Sequence, residues 1–165
     1  MKVQFSHIKY IGQFILLAFI LLIPKVHFSQ KFTATSTQNL NFGSFYPTGS
    51  GGSIIVSTTG ARSLLTGNIV LLSSGTPPSN AIFQITGKGN ANYITNININ
   101  NTILSRIGGG GSLSLNSFTF YPPPLLNIKN RTVYLNVGAT LTIGSITANP
   151  PGAYTGPFYV NFIYN

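Results

Sequence analysis

The stretch that decides the fold is PGAYTGPFYVNFIYN, residues 151–165. Large residues recur in it at every second position: Phe158, Val160, Phe162 and Tyr164. That period is typical of a β-strand with one buried face. The sequence therefore predicts a last strand over 157–164 that lies in a hydrophobic core, either of this chain or of a neighbouring one.

The same type of pattern continues upstream of this stretch. No helical stripe occurs after residue 29, and short alternating runs are separated by Gly, Pro, Asn and Ser. We therefore expect an all-β, immunoglobulin-like β-sandwich of about 7–9 antiparallel strands. The predicted strands are 40–45, 53–57, 68–72, 81–86, 92–99, 112–120, 132–137, 140–143 and 157–164.

In two of the predicted strands, the sequence pattern also indicates which side chains share a face. In NYITNININ, residues 92–100, the alternation places Tyr93, Thr95, Ile97 and Ile99 on one face, and Ile94, Asn96, Asn98 and Asn100 on the other. In AIFQITG, residues 81–87, it directs three residues into the core: Ala81, Phe83 and Ile85. A register slip of one residue would reverse these faces.

Proline clusters mark the corners between strands. They lie at 76–78, 122–124 and 149–152, and proline donates no hydrogen bond to a sheet ladder. Tyr154 follows the last cluster. It is predicted either to tie that corner to nearby backbone through its hydroxyl, as in a tyrosine corner, or to be an ordinary core aromatic.

The first 29 residues have the composition of a signal peptide. A basic start with Lys2 and Lys9 precedes an apolar run over 11–23, which is shorter than the ~20 residues of a bilayer span. An uncleaved membrane anchor is the alternative. We expect a single domain over 30–165 that is secreted, periplasmic or at the cell surface, with membrane contact only through the signal peptide before its cleavage.

The charges are all positive, since the sequence contains nine Lys and Arg residues and neither Asp nor Glu. The cations after residue 29 are Lys31, Arg62, Lys88, Arg106, Lys129 and Arg131. Nucleic-acid binders cluster such residues on one face, whereas these are spread thinly along the sequence. We therefore expect no nucleic-acid partner, and at most attraction to an acidic surface polymer.

Residue types needed for catalysis are missing after residue 29. Both histidines, His7 and His27, precede that point, and the chain has no Cys, Asp or Glu. Paired carboxylates, catalytic triads and side-chain metal sites are thereby excluded. Only a Ser/Lys-type or tyrosine mechanism remains, with Lys31, Lys88 or Lys129 as activating base. We expect no enzyme activity, no cofactor and no metal.

Five motifs carry a family resemblance. They are LNFGSFYP at 40–47, GGSIIV at 51–56, AIFQITG at 81–87, LTIGSI at 141–146, and the closing PGAYTGPFYVNFIYN. Together, and in this order, they resemble the DUF4402 family of secreted bacterial proteins. This family has no settled biochemical function, so the resemblance implies an architecture more than an activity.

The closing strand is also similar to that of spore-coat-protein-U-like and chaperone-usher fimbrial subunits. That similarity implies an incomplete sandwich, with the partner being another copy by strand exchange, or a periplasmic chaperone. The implied assembly strand carries Phe158, Val160, Phe162 and Tyr164. The implied donor is QKFTATSTQ, residues 30–38, with Phe32 and Ala34 directed into the neighbour's groove.

The function expected from these observations is that of a secreted, non-catalytic structural protein at the cell surface or outside the cell, such as a pilus-like or coat subunit. The alternative is a carbohydrate- or surface-binding module. Its best-placed rings are Tyr46 and Tyr121, each directly before a proline, although both positions also suit aromatics that cap a core. A Ser/Lys-type enzyme is the third hypothesis.

Overall fold

The computed structural model describes residues 32–89 and 93–165, so the predicted signal peptide lies outside the described residues. Within these ranges no helix is long and apolar enough to cross a membrane. The described chain forms eleven strands: β1 (Phe32–Gln38), β2 (Phe45–Val56), β3 (Arg62–Leu71), β4 (Ala81–Gly87), β5 (Tyr93–Ile99), β6 (Thr102–Arg106), β7 (Ser112–Tyr121), β8 (Leu126–Asn127), β9 (Thr132–Ile143), β10 (Tyr154–Thr155) and β11 (Val160–Tyr164).

The larger sheet is organised around β9. Its strand order is β1-β4-β9-β7-β6-β10, all antiparallel, and the β2–β3 hairpin joins it through β2. One edge of β9 pairs with β4 over 132–137 and then with β2 over 139–143. The opposite edge pairs with β7. One strand therefore holds three others in place.

The second sheet is small, with order β11-β5-β8. Between the two layers lies a core cluster built from β4, β5, β9 and the β8 region. A second cluster is formed by residues of β2, β3, β7 and β9, together with Phe42. Leu40, Phe118 and Phe158 pack against both clusters and so join them into one interior.

The predicted all-β sandwich is confirmed. Nine of the described strands have five residues or more, and β8 and β10 have only two each. The proline corners at 76–78, 122–124 and 149–152 lie outside every strand, as predicted. Tyr154 donates its hydroxyl proton to the carbonyl oxygen of Pro150 at 2.7 Å, which confirms the tyrosine-corner hypothesis.

Several predicted boundaries are wrong. The last strand begins at Val160 rather than at residue 157, and β3 begins at Arg62 rather than at residue 68. Residues 40–44 form only an isolated bridge, Asn41 with Ser79, and the strand begins at Phe45. The runs 132–137 and 140–143 are a single strand, because Gly138 and Ala139 continue the extended backbone. The short strands β6, β8 and β10 were not predicted.

The strict alternation predicted for β5 is also wrong. Opposite β11, Ile163 pairs with Asn96 and Tyr164 pairs with Ile94, so Thr95 is an extra residue in a bulge. The Asn96 side-chain oxygen accepts a hydrogen bond from the Ile97 backbone N–H at 2.8 Å. Ile94 and Ile97 are both buried as a result, although alternation placed them on opposite faces. The prediction for β4 is confirmed, since Ala81, Phe83 and Ile85 all belong to the core cluster between the sheets.

Strand β7 contains a comparable irregularity. Its pairing with β9 shifts between Asn116 and Thr119, and Ser117 has a left-handed φ of 48°. Leu115 is buried before this point, and Phe118 packs into the core after it. The bulge therefore changes which residues of β7 face inward.

Candidate functional site

The proposed donor segment folds onto its own chain as β1. It lies at one edge of the larger sheet and pairs with β4, with Phe32 opposite Gly87 and Ala34 opposite Ile85. Gln38 pairs with Ile82 after a bulge. Among the described strands β4 is the only neighbour of β1.

The C-terminal strand β11 lies at an edge of the smaller sheet. It pairs with β5, with Val160 opposite Ile99 and Phe162 opposite Ile97. Phe158, which precedes the strand, is placed deeper. Its ring centroid lies 6.0 Å from that of Phe83 and 5.3 Å from that of Phe118.

One aromatic ring connects these two edges. Phe32 packs edge-on against Phe162, with ring centroids 5.8 Å apart, and against Tyr164, with centroids 5.0 Å apart. The first strand and the last strand, which belong to different sheets, are therefore in contact at one end of the sandwich. Ala34, the other predicted anchor, is exposed.

The segment between β1 and β2 is held by a few polar contacts. Asn41 exchanges two backbone hydrogen bonds with Ser79, each 2.8 Å long. The Arg62 guanidinium donates to the carbonyl oxygens of Phe42 and Ser44 at 2.8 and 2.9 Å, and to that of Leu72 at 2.6 Å. Arg62 thus has a structural role in fixing this connection.

A groove of about 920 Å³ opens beside this connection. One side is the segment 38–47, and the other is the segment 149–158. Its floor consists of core side chains: Leu113, Leu115, Leu141 and Ile143. The corner at Tyr154 and the segment after β1 therefore border the same depression, whose floor is apolar.

The tyrosines predicted for ligand binding lie on different strands. Tyr46 in β2 is 46% exposed and Tyr121 at the end of β7 is 64% exposed. Sequence reasoning missed Tyr134 in β9, which is 54% exposed. The sequence contained the signal for its exposure. In TVYLNV, residues 132–137, the alternation directs Tyr134 to the face of the strand that points away from the core, while its neighbour Leu135 points into the core.

Two of the three candidate lysines lie in the described part of the chain. Lys88 and Lys129 are exposed in turns, and Lys31 lies outside the described residues. In the described part of the chain no group of three His, Cys, Asp or Glu side chains is placed to hold a metal ion.

These features define an all-β sandwich whose first and last strands lie at the edges of its two sheets. Residues 32–164 match the family model for the domain of unknown function DUF4402, and the chain belongs to this family. No curated protein and no solved structure gives a significant match.

Proposed function

We propose that the protein is a secreted, non-catalytic structural protein of the cell surface that assembles by exchanging β1 between copies. The observation that carries this proposal is the edge position of β1. The strand is joined to the rest of the fold by ladder bonds to β4, by the aromatic ring of Phe32, and by side-chain hydrogen bonds from Thr37 to Ile82 and from Gln38 to Asn80. In assembly, β1 of one copy takes the place of β1 on β4 of the next. A periplasmic chaperone would protect the vacant β4 edge before assembly.

The composition of β1 supports exchange. After Phe32 the strand reads TATSTQ, and the residues from Ala34 to Gln38 are exposed. Little apolar surface therefore has to leave the core when β1 detaches. The strand also carries no charge and no proline, the usual protection of an edge against pairing with another chain.

Exchange re-forms the same contacts between molecules. Every ladder bond to β4 and both ring contacts of Phe32 are recovered in the neighbour, so the main costs are association entropy and the change of chain direction after β1. Residues 40–44 stay anchored in their own copy through Leu40, Phe42 and the contacts of Arg62, so the hinge falls at the exposed residue Asn39.

Cysteine pairing tests the proposal directly, because the chain has no cysteine of its own. Thr33 and Thr86 are register partners across β1 and β4. One protein carrying Thr33→Cys and another carrying Thr86→Cys are mixed under oxidising conditions. We expect a disulfide-linked heterodimer, because a link between the two variants requires β1 of one copy to lie on β4 of the other.

The matched control mixes the Thr33→Cys protein with a Thr119→Cys protein. Thr119 is an exposed position in β7, which does not adjoin β1. We expect no link in that mixture. Size exclusion and electron microscopy of the wild-type protein give the second measurement. A monodisperse monomer that forms no Thr33–Thr86 link and ignores an added peptide of residues 30–42 would contradict strand exchange.

A second candidate function is neutral glycan binding on the outer face of the larger sheet. Tyr121 pairs with Asn136, two residues from Tyr134 on β9, so the two exposed tyrosines are diagonal neighbours about 7–8 Å apart at Cα. The strands β1, β4, β7 and β9 contain no charged residue. An uncharged face with two aromatic rings suits stacking against sugars.

Glycan-array binding tests this alternative. We expect hits that are lost on Tyr121→Ala and Tyr134→Ala and retained on Tyr159→Ala, an exposed tyrosine just before β11. An array without hits would remove the candidate.

A further inference from the structure

The positive charges that are spread along the sequence come together at one end of the sandwich. Lys88 directly follows β4, and Lys129 and Arg131 lie in the turn between β8 and β9. Because β4 and β9 are antiparallel neighbours, the end of β4 and the start of β9 meet, with Thr86 opposite Thr132. All three cations are exposed.

Backbone contacts fix the two turns against each other. The Gly87 N–H donates to the Arg131 carbonyl oxygen at 3.1 Å, and the Arg131 N–H donates to the Ile128 carbonyl oxygen at 3.3 Å. Gly87 also lies so close to Ile128 that a Cβ on it would be 1.8 Å from the Ile128 carbonyl oxygen. The two turns that carry the cations are thus packed against each other.

The charged groups at this end are available to a ligand. The Arg131 Nε donates to the Asn127 carbonyl oxygen, which orients the guanidinium and leaves its two Nη groups without a hydrogen-bond partner among the described residues. The ammonium groups of Lys88 and Lys129 likewise have no partner in the described part of the chain.

The other two described cations, Arg62 and Arg106, donate hydrogen bonds to backbone carbonyl oxygens of loops. Arg62 donates to three carbonyl oxygens, as above, and Arg106 donates to those of Pro151 and Gly109, both at 2.9 Å. Both guanidinium groups are therefore engaged in holding loops. Of the described cations, the three at the β4–β9 end are the ones left for binding.

No acidic side chain opposes this charge, since the sequence has no Asp or Glu. Asn165 is at the same end, where its backbone N–H donates to the Tyr93 carbonyl oxygen at 3.3 Å. Tyr93 pairs with Asn127 and is 41% exposed, so an aromatic ring and amide groups adjoin the cations.

We propose that this end binds an acidic glycan, through carboxylate or phosphate groups on its sugars. The Arg131 Nη pair suits bidentate contact with a carboxylate or phosphate, Lys88 and Lys129 add point charges, and Tyr93 offers a ring to a sugar face. Double-stranded nucleic acid is a poorer fit, because its binders carry a stripe of Lys and Arg that follows the phosphate backbone, whereas three described cations lie at this end. The proposal does not depend on strand exchange.

Calorimetry of the purified protein with oligogalacturonate tests the site, in about 0.1 M salt, where the Debye length is about 10 Å. We expect binding that weakens about tenfold or more on Arg131→Gln, and by smaller factors on Lys88→Gln and Lys129→Gln. The two lysine variants lose no described contact, so their folding is not at risk. Urea unfolding of the arginine variant checks that its fold is retained.

The matched control is Thr142→Glu, an exposed position in β9 remote from this end, which lowers the net charge by one as Arg131→Gln does. We expect its affinity to stay within about twofold, since charges separated by more than a Debye length are screened. Equal losses in both variants would overturn the site, because only net charge would then matter.

Three further probes separate the ligand classes. Neutral dextran should not bind, and a 12-base-pair DNA duplex and phosphatidylglycerol vesicles should bind more weakly than oligogalacturonate. If either the duplex or the vesicles bind as tightly as the glycan, or if none of the anionic probes binds, the assignment to acidic glycans is wrong.

Discussion

The ring of Phe32, at the start of the first strand, meets the ring of Phe162, in the last strand, edge-on with centroids 5.8 Å apart. The two residues belong to different sheets, so this contact closes one end of the sandwich between elements that are 130 residues apart in the sequence. Phe32 is therefore the main apolar anchor of β1, beside the ladder bonds of this strand to β4 and the hydrogen bonds of Gln38 to Asn80.

Replacing Phe32 tests how much this side chain contributes to the free energy of unfolding. Phe32→Ala should lower the free energy of unfolding by about 2 kcal/mol, because a half-buried aromatic ring and its edge contacts are lost. Urea denaturation measures the change. Tyr159→Ala is the control, since Tyr159 is 74% exposed and its loss should leave the denaturation midpoint nearly unchanged. Equal effects of the two substitutions would contradict the closing role of Phe32.

The hydroxyl of Tyr154 gives a second prediction. Tyr154→Phe removes the 2.7 Å hydrogen bond to the Pro150 carbonyl oxygen and keeps the ring, so we expect a loss of about 1 kcal/mol in unfolding free energy. Tyr134→Phe is the matched control, because the Tyr134 hydroxyl has no partner among the described residues. Thermal unfolding of both variants should show a lower midpoint only for Tyr154→Phe.

Replacing the buried side chain of Asn149 should lower the unfolding free energy more than the change at Tyr154 does. Its side chain accepts a hydrogen bond from the Gly144 N–H and donates to the carbonyl oxygens of Ser112 and Ala148. Asn149→Ala leaves backbone groups unsatisfied, so a destabilisation of about 2–3 kcal/mol is expected in chemical denaturation. Asn161→Ala, at an exposed position in β11, should change stability by less than about 0.5 kcal/mol. A similar small effect at both positions would show that Asn149 does not organise the corner.

Gly87 gives a prediction about close backbone approach. In Gly87→Ala the new Cβ meets the Ile128 carbonyl oxygen at 1.8 Å, so the turn carrying Lys129 and Arg131 must move. Gly110 has a left-handed φ of 80° but nothing within 4 Å of a Cβ, and Gly110→Ala should cost only about 1 kcal/mol of backbone strain. We expect a clearly larger drop in the thermal midpoint for Gly87→Ala, and the reverse order would contradict the packing of these turns.

Local pattern predicted the elements of the fold well, because alternation and turn residues are local properties. It failed at Thr95, where a bulge adds a residue and changes which side chains of β5 face inward. Such bulges depend on pairing with another strand, which alternation within one strand does not report. The same limit explains why 32–38 did not stand out as a strand of this chain, since its buried partner Ile85 is distant in sequence.

The candidate binding end was missed for a related reason. Lys88 and Arg131 are 43 positions apart in the sequence and were read as scattered charges. The antiparallel pairing of β4 with β9 brings them together, and the hydrogen bond from Gly87 to Arg131 fixes the arrangement. Predicting the cluster would have required knowing that β4 and β9 are neighbours.

The position of β9 also determines when the protein can fold. Residues 132–143 provide the shared partner of β2, β4 and β7, so none of these strands completes its pairing until about four fifths of the chain has been made. Closing such distant contacts is entropically costly, and sheets of this kind fold in milliseconds to seconds. In a growing chain the edges of β2, β4 and β7 that face β9 therefore stay unpaired, and open to other chains, until residues 132–143 have been made.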